Sequence, residues 1–277
     1  MALSLPTIAS FWAGPKLGLI EHLCLKSFVD NGHETWLYTY EPVEHVPDGV
    51  TMKDANDILP LETILTSGRN REPGAHSDKF RYLLLQKEDV IWVDTDAYCV
   101  RPFQNFEYLF GIHYKDQVAN GVLKLPKNSP ALANLVEFCD SEYPPFPDDW
   151  PFLHGEERRR HDAYLETGDE SQRLHISECA WETFGPYAIS YFLKKSGEVV
   201  HALPKVLLYP VFGSEIRRNL RWPNRHKLDI SSEAISIHFY TSNTRKILTE
   251  LCGGIPRANS LLAQLCEKHD VDPEMFL

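Results

Sequence analysis

No stretch of the 277-residue chain approaches the roughly 18 consecutive apolar residues that a membrane-crossing helix needs, which excludes a bundle of transmembrane helices. Residues 1–16 have neither the basic start nor the apolar stretch of about 7 residues expected of a secretory leader, so a cytosolic start is expected. Cations are scarce: 28 Lys and Arg stand against 39 Asp and Glu, a formal charge of −11. That balance argues against broad phosphate-backbone binding, and no nucleic-acid partner is expected. The six cysteines form no CxxC pair and have no histidine at zinc-finger spacing, so they are expected to be reduced, buried and small. There is no internal repeat and no low-complexity tract. With 43% apolar and 24% charged residues, the chain is too hydrophobic to be disordered.

What is present is an alternation of strand and helix patterns. Residues 6–12 read as a buried strand ended by Ala13-Gly14-Pro15. Leu17, Ile20, Leu23, Cys24 and Phe28 recur at helical spacing up to Asn31-Gly32, where a left-handed cap is expected. Residues 34–40, rich in aromatic and β-branched side chains, read as strand two. Strand, helix and strand within 40 residues open a βαβ sheet, so the fold class is α/β. Further on, 75–86 is expected to be a helix capped by His76 or Ser77, and 89–94 a buried strand. The spacing then predicts a strand at 117–125, a helix at 130–139, a helix at 186–195, strands at 205–209 and 234–239, and a last helix at 257–269. Residues 143–170, dense in proline and charge, read as an irregular insertion or lid.

The chemistry concentrates in Val93-Asp94-Thr95-Asp96. A buried strand here delivers two carboxylates at its carboxyl end, where open α/β sheets bind ligands. Adjacent carboxylates repel unless a cation sits between them, and Mg²⁺ or Mn²⁺ takes such oxygen ligands together with substrate phosphates. The plain alternative is a solvated acidic turn. Three contexts favour the metal. Asp78 and Arg81, at i and i+3 on the preceding helix, share one face. His238 closes an otherwise apolar strand and can supply an imidazole ligand. Trp12 and Gly14 end strand one beside the switch point, where an indole could stack on a base.

These residues resemble a known family. Phe11-Trp-Ala-Gly14, Cys24-Leu-Lys-Ser-Phe28, Asn31-Gly32-His33, Ser77-Asp78 with Arg81, and Val93-Asp-Thr-Asp96 are similar to the DxD-containing nucleotide-sugar glycosyltransferases. That group includes α-1,4-galactosyltransferases, the yeast initiating mannosyltransferase and the glucosyltransferase domains of clostridial toxins. Asn120-Gly121, Phe184-Gly185-Pro186 and the His238 strand extend the likeness. The resemblance implies one GT-A-like, Rossmann-type domain over 1–277 with a mixed central sheet. Residues 1–125 would form the nucleotide-sugar half, and 126–277 the acceptor half with the insertion at about 143–170. It implies Asp96 and His238 on a Mn²⁺ or Mg²⁺ ion, Asp94 on the sugar or ribose and on the metal, and Asp78 and Arg81 on sugar hydroxyls. Trp12 and Gly14 would lie by the base, Asn120 by the donor, and Arg245 or Lys246 by phosphate. Glu182 is an acceptor-side candidate. The family has two glycines where this chain has Glu88-Asp89, and the chain lacks the HxxGxxK pattern of a related family.

The implied reaction is transfer of a hexose, with retention, from a nucleoside-diphosphate sugar, UDP-sugars being favoured, to a glycan or glycolipid hydroxyl. Two rivals stand beside it: a haloacid-dehalogenase-like phosphohydrolase, with Asp148-Asp149 as its later acidic pair, and a non-catalytic sugar-nucleotide-binding protein. Residues 216–227 gather Arg217, Arg218, Arg221, Arg225 and Lys227 around Trp222. They read as a surface for anionic lipid or an acidic glycan, or as a solvated loop; the first would place the protein at the inner face of a membrane.

Overall fold

The first strand, β1 (Ile8–Trp12), is buried along nearly its whole length, as a central parallel strand must be when helices cover both faces. In the computed structural model, which describes residues 4–62, 64 and 74–277, β1 is followed by α1 (Leu19–Asp30), β2 (Thr35–Thr39) and β3 (Val50–Asp54). Then come α2 (Gly74–Lys87), β4 (Ile91–Val93), β5 (Ala97–Cys99), β6 (Leu109–Tyr114) and β7 (Gln117–Lys124). The second half contains α3 (Pro130–Cys139), α4 (Gly155–Thr167), α5 (Ala188–Ser196), α6 (Lys205–Leu208), α7 (Gly213–Arg221), β8 (Ser236–His238), α8 (Thr241–Cys252) and α9 (Leu261–Lys268).

Six strands form a mixed sheet in the order β3-β2-β1-β4-β7-β6, in which β3, β2, β1 and β4 are parallel and β7 pairs antiparallel with both β4 and β6. The order reverses between β1 and β4, a topological switch point of the kind that leaves a crevice at the strands' carboxyl ends. Separately, β5 pairs with β8 as a two-stranded antiparallel ribbon with Ala97 opposite His238.

Strand alternation divides the core. Ala9 and Phe11 face α2, where Phe11 stacks on Phe80 at 4.6 Å, and this layer continues through Trp92, Phe138, Trp150 and Phe184. Ile8 faces the other way, onto Phe28 of α1. Each such fully buried side chain contributes about 1.5–3 kcal/mol. α1 joins β5, β8 and helices α7 to α9 in a second cluster. Local signals explain several element ends. Ser129 Oγ accepts from Leu132 N at 3.1 Å with Pro130 in the first turn of α3, and Gly32 takes the left-handed φ of 86° expected after α1. All six thiols are free, five of them buried. Among the described residues no helix is long and apolar enough to cross a membrane.

Several expectations are corrected. Residues 205–209 begin as the short helix α6, not a strand; Leu208 and Tyr209 are buried either way, so periodicity could not separate the two. Residues 143–170 are not irregular throughout: they hold α4, and Trp150 is fully buried, stacked on Phe138 at 4.9 Å. Arg160 ties α4 down through Glu178 at 2.6 Å and the Arg173 carbonyl at 2.6 Å. α2 begins at Gly74, so His76 and Ser77 lie inside the helix instead of capping it. The last helix starts later than residue 257, at Leu261, where Ser260 Oγ accepts from Ala263 N. Residues 1–3, part of the segment read for a leader, lie outside the described residues.

Candidate metal centre at the switch point

The end of β4 places Asp94 where the sheet order reverses. Its backbone N–H donates to the Gly121 carbonyl of β7 at 2.7 Å, and Ser10 Oγ of β1 donates to the neighbouring Val93 carbonyl at 2.6 Å. Asp96 immediately precedes the ribbon strand β5, and its carbonyl accepts from Phe239 N at 2.9 Å, which brings His238 alongside. Asp94, Asp96 and His238 each offer a ligand atom within 4.8 Å of the others.

The protein holds one oxygen of each carboxylate and leaves the other facing the imidazole. Asp94 Oδ1 accepts from Trp92 Nε1 at 2.9 Å and pairs with Arg81 Nη2 at 3.1 Å; Asp94 Oδ2 is 3.5 Å from His238 Nε2. Asp96 Oδ2 accepts from Thr241 N at 2.8 Å and from the Thr241 hydroxyl; Asp96 Oδ1 is 3.2 Å from His238 Nε2. Asp96 therefore caps α8 from 145 positions away, satisfying a first-turn N–H that no local side chain reaches, and the helix end in turn favours its negative charge. Tyr240, in the left-handed region at φ 52°, has its backbone N 3.3 Å from His238 Nδ1 and contacts His113 Nε2 through its hydroxyl at 2.8 Å.

Electrostatics follow from this packing. Burial alone would raise the Asp94 carboxyl, but the Arg81 charge and the His238 contact overcome it and lower its pKa to about 2. Burial opposes a charged His238, yet Asp96 and Asp94 outweigh it and raise its pKa. The three groups fit a hard divalent cation: the free oxygens of two anchored carboxylates and one imidazole nitrogen are a donor set that Mn²⁺ or Mg²⁺ accepts.

Behind the centre, Arg81 donates from Nη1 to the Asn120 carbonyl at 2.7 Å, lies 3.3 Å from Asp78 Oδ1, and covers the Trp92 ring at 4.8 Å. Asn120 Nδ2 donates to Asp78 Oδ1 at 2.8 Å. Burial dominates at Asp78 and raises its pKa to about 6, although Arg81 pulls the other way. Two glycines permit these approaches. A Cβ on Gly121 would stand 2.8 Å from His238 Nε2, and one on Gly185 would stand 2.9 Å from Asp78 Oδ2.

The remaining sequence candidates are placed as follows. Trp12 is half-buried at the end of β1; its Nε1 is enclosed without a hydrogen-bond partner, 3.0 Å from where a Gly14 Cβ would stand. Glu182 is half-buried at the entry to a π-turn over Thr183–Tyr187, beside the Tyr187 phenol. Arg245 pairs with buried Glu21 of α1, whereas Lys246 is exposed on α8 with Glu250 at 3.9 Å. Asp149 lies away from the centre, bonded to Lys195 and the Tyr191 hydroxyl. Sequence reasoning missed Trp92, Tyr240, Thr241 and His113. Trp92 lies inside the buried strand read at 89–94 and has no separate signal there; nothing local marks the others, whose roles exist through contacts of long sequence separation.

Comparison with known proteins gives no match to any family profile and none to a curated protein. Among solved structures, the chain is similar to the PaToxG glycosyltransferase at 12% identity, over 94% of this chain and 87% of the other, with a TM-score of 0.41. It is similar to a transferase variant with two cysteines changed to serine at 11% identity, over 53% and 82%, with a TM-score of 0.32. A third likeness is to the apo form of the bifunctional glycosyltransferase WbbM at 12% identity, over 96% of this chain and 52% of that one, with a TM-score of 0.36. At 11–12% identity these likenesses assign no residue a role.

Proposed function

We propose that this protein is a metal-dependent glycosyltransferase of GT-A-like fold that moves a hexose from a nucleoside-diphosphate sugar to a hydroxyl of a glycan or glycolipid. The observation that carries the reading is the paired anchoring at the switch point: Asp94 and Asp96 each have one oxygen fixed by the protein and the other turned toward His238 Nε2. A solvated acidic turn has no need of that preorganisation.

A divalent ion held by Asp94 Oδ2, Asp96 Oδ1 and His238 Nε2 would neutralise the diphosphate as the glycosidic bond breaks. The chain's own groups do the rest. Trp92 and Arg81 fix the Asp94 rotamer, so its free oxygen needs no reorganisation at the moment of reaction. Asp78 and Arg81, braced by Asn120, present a carboxylate and a guanidinium to sugar hydroxyls beside the ion. The half-buried indole of Trp12 offers a surface for the base at the end of β1. Retention follows from the family resemblance alone and calls for no protein nucleophile; UDP is the favoured nucleotide on the same ground.

The test is to incubate the protein with Mn²⁺ and a panel of UDP- and GDP-sugars and measure free nucleoside diphosphate and free phosphate. Release of nucleoside diphosphate is expected. Phosphate release from phosphomonoesters would replace the reading with a phosphohydrolase, and donor binding without turnover would replace it with a binding protein.

A further inference from the structure

We propose that the face formed by the C-terminal end of α7, residues 222–227 and the end of α8 docks on an anionic lipid bilayer. Residues 216–227 contain five Lys and Arg and no Asp or Glu, in a chain whose net charge is −11. Among the described residues, none of Arg217, Arg218, Arg221, Arg225 and Lys227 comes within 4.0 Å of a carboxylate, whereas neighbouring Arg245 and Lys246 are each paired. The positive charge on this face is thus left for an external partner.

The scaffold beneath it is fixed. Ile216 and Leu220 bury the inner side of α7, and Asn219 donates to the His226 carbonyl at 2.8 Å while accepting from Leu261 N at 2.7 Å, which sets the path of the following loop. Arg257 donates to the carbonyls of both Arg221 and Leu251 and so joins the ends of α7 and α8 into one surface. On that surface Trp222 and Leu251 are each 46% exposed and Ile255 39%. Cations interspersed with large apolar side chains match the boundary between headgroups and acyl chains, where an indole and aliphatic groups insert and guanidinium groups meet lipid phosphates. An acidic glycan would engage the arginines and leave Leu251 and Ile255 uncovered.

This surface stands without the catalytic reading. One consequence does rest on glycosyl transfer: α7, about 14 Å long, follows its N-cap Phe212, whose ring centroid lies 6.1 Å from that of His113, whose Nε2 meets the Tyr240 hydroxyl beside His238. Docking at its far end would bring the centre to a lipid-borne acceptor.

Flotation of the intact protein with vesicles tests the proposal. It is expected to rise with phosphatidylcholine vesicles containing about 30 mol % phosphatidylglycerol and to stay behind with phosphatidylcholine alone. Raising NaCl from about 0.1 M to about 0.5 M should release it. The exposed double variant Trp222→Ser/Arg225→Glu, with an unchanged thermal melt, should lose at least about tenfold in partitioning while releasing nucleoside diphosphate from a soluble donor as the parent does. No flotation, equal flotation with neutral vesicles, or undiminished binding by the variant would overturn the proposal. Retention on an acidic polysaccharide resin without flotation would overturn it in favour of a glycan surface.

Discussion

Arg81 Nη2 lies 3.1 Å from Asp94 Oδ1, so a guanidinium buried under Trp92 connects the helix before β4 to the carboxylate at that strand's end. Because Asp78 pairs with the same guanidinium, removing it strands the buried Asp78 carboxylate and the half-buried Asp94 carboxylate at once. Arg81→Met is expected to cost about 3–5 kcal/mol in urea unfolding, and Arg81→Lys, which cannot span the same partners, to recover only part of it. Near-native stability of Arg81→Met would contradict the pairing.

Asp96→Asn should separate the two jobs of that side chain. An amide oxygen still accepts from Thr241 N, so the cap on α8 survives with a stability loss within about 1 kcal/mol. The position facing His238 is then an amide nitrogen, which cannot ligate a cation, and Mn²⁺ binding by calorimetry and turnover should both disappear. Full turnover in this variant, or full turnover after chelation of divalent metal, removes the central reading.

Asp78 carries a pH signature. Its folded pKa of about 6 is above the ordinary 3.8, so below about pH 4 it is neutral in both states and costs nothing. As pH rises from about 4 to about 6 the unfolded chain loses this proton while the buried group keeps it, which lowers stability by about 3 kcal/mol once pH has passed the folded pKa. The unfolding free energy of Asp78→Asn relative to the parent should therefore rise between about pH 4 and about pH 8, while donor use falls. A difference that does not change with pH would show that the burial penalty is absent.

Two glycines offer a way to test the proposed metal and donor roles separately. In Gly121→Ala the added Cβ would meet His238 Nε2 at 2.8 Å, so Mn²⁺ affinity should fall even without substrate. In Gly185→Ala it would meet Asp78 Oδ2 at 2.9 Å, so KM for the donor should rise while Mn²⁺ affinity without donor is kept. The reverse pattern would exchange the proposed roles of the two groups.

Legibility in the sequence followed the range of the interactions. β1, α1, β2 and α3 could be read because a buried run, a 3.6-residue spacing, an Asn-Gly stop or a Ser-Pro start is local. β5 could not, because three residues become a strand only by pairing with β8. The stretch around Arg218 read as loop or basic patch, yet Ile216 and Leu220 make it a helix with a buried side. In the same way Asp94, Asp96, Asp78, Arg81 and His238 were singled out by residue type at strand and helix positions, whereas the Thr241 cap and the clearance at Gly185 exist only in three dimensions.

The ribbon that brings His238 to Asp96 also sets an order of events. During synthesis from the N-terminus, β1 to β4 and both carboxylates leave the ribosome long before residues 236–241, so the early chain has the acidic turn but neither its imidazole nor the amide that restrains Asp96. On the proposed reading, capture of an ion by the assembled triad would therefore be a late event in maturation, and a chain arrested before β8 would lack the complete donor set.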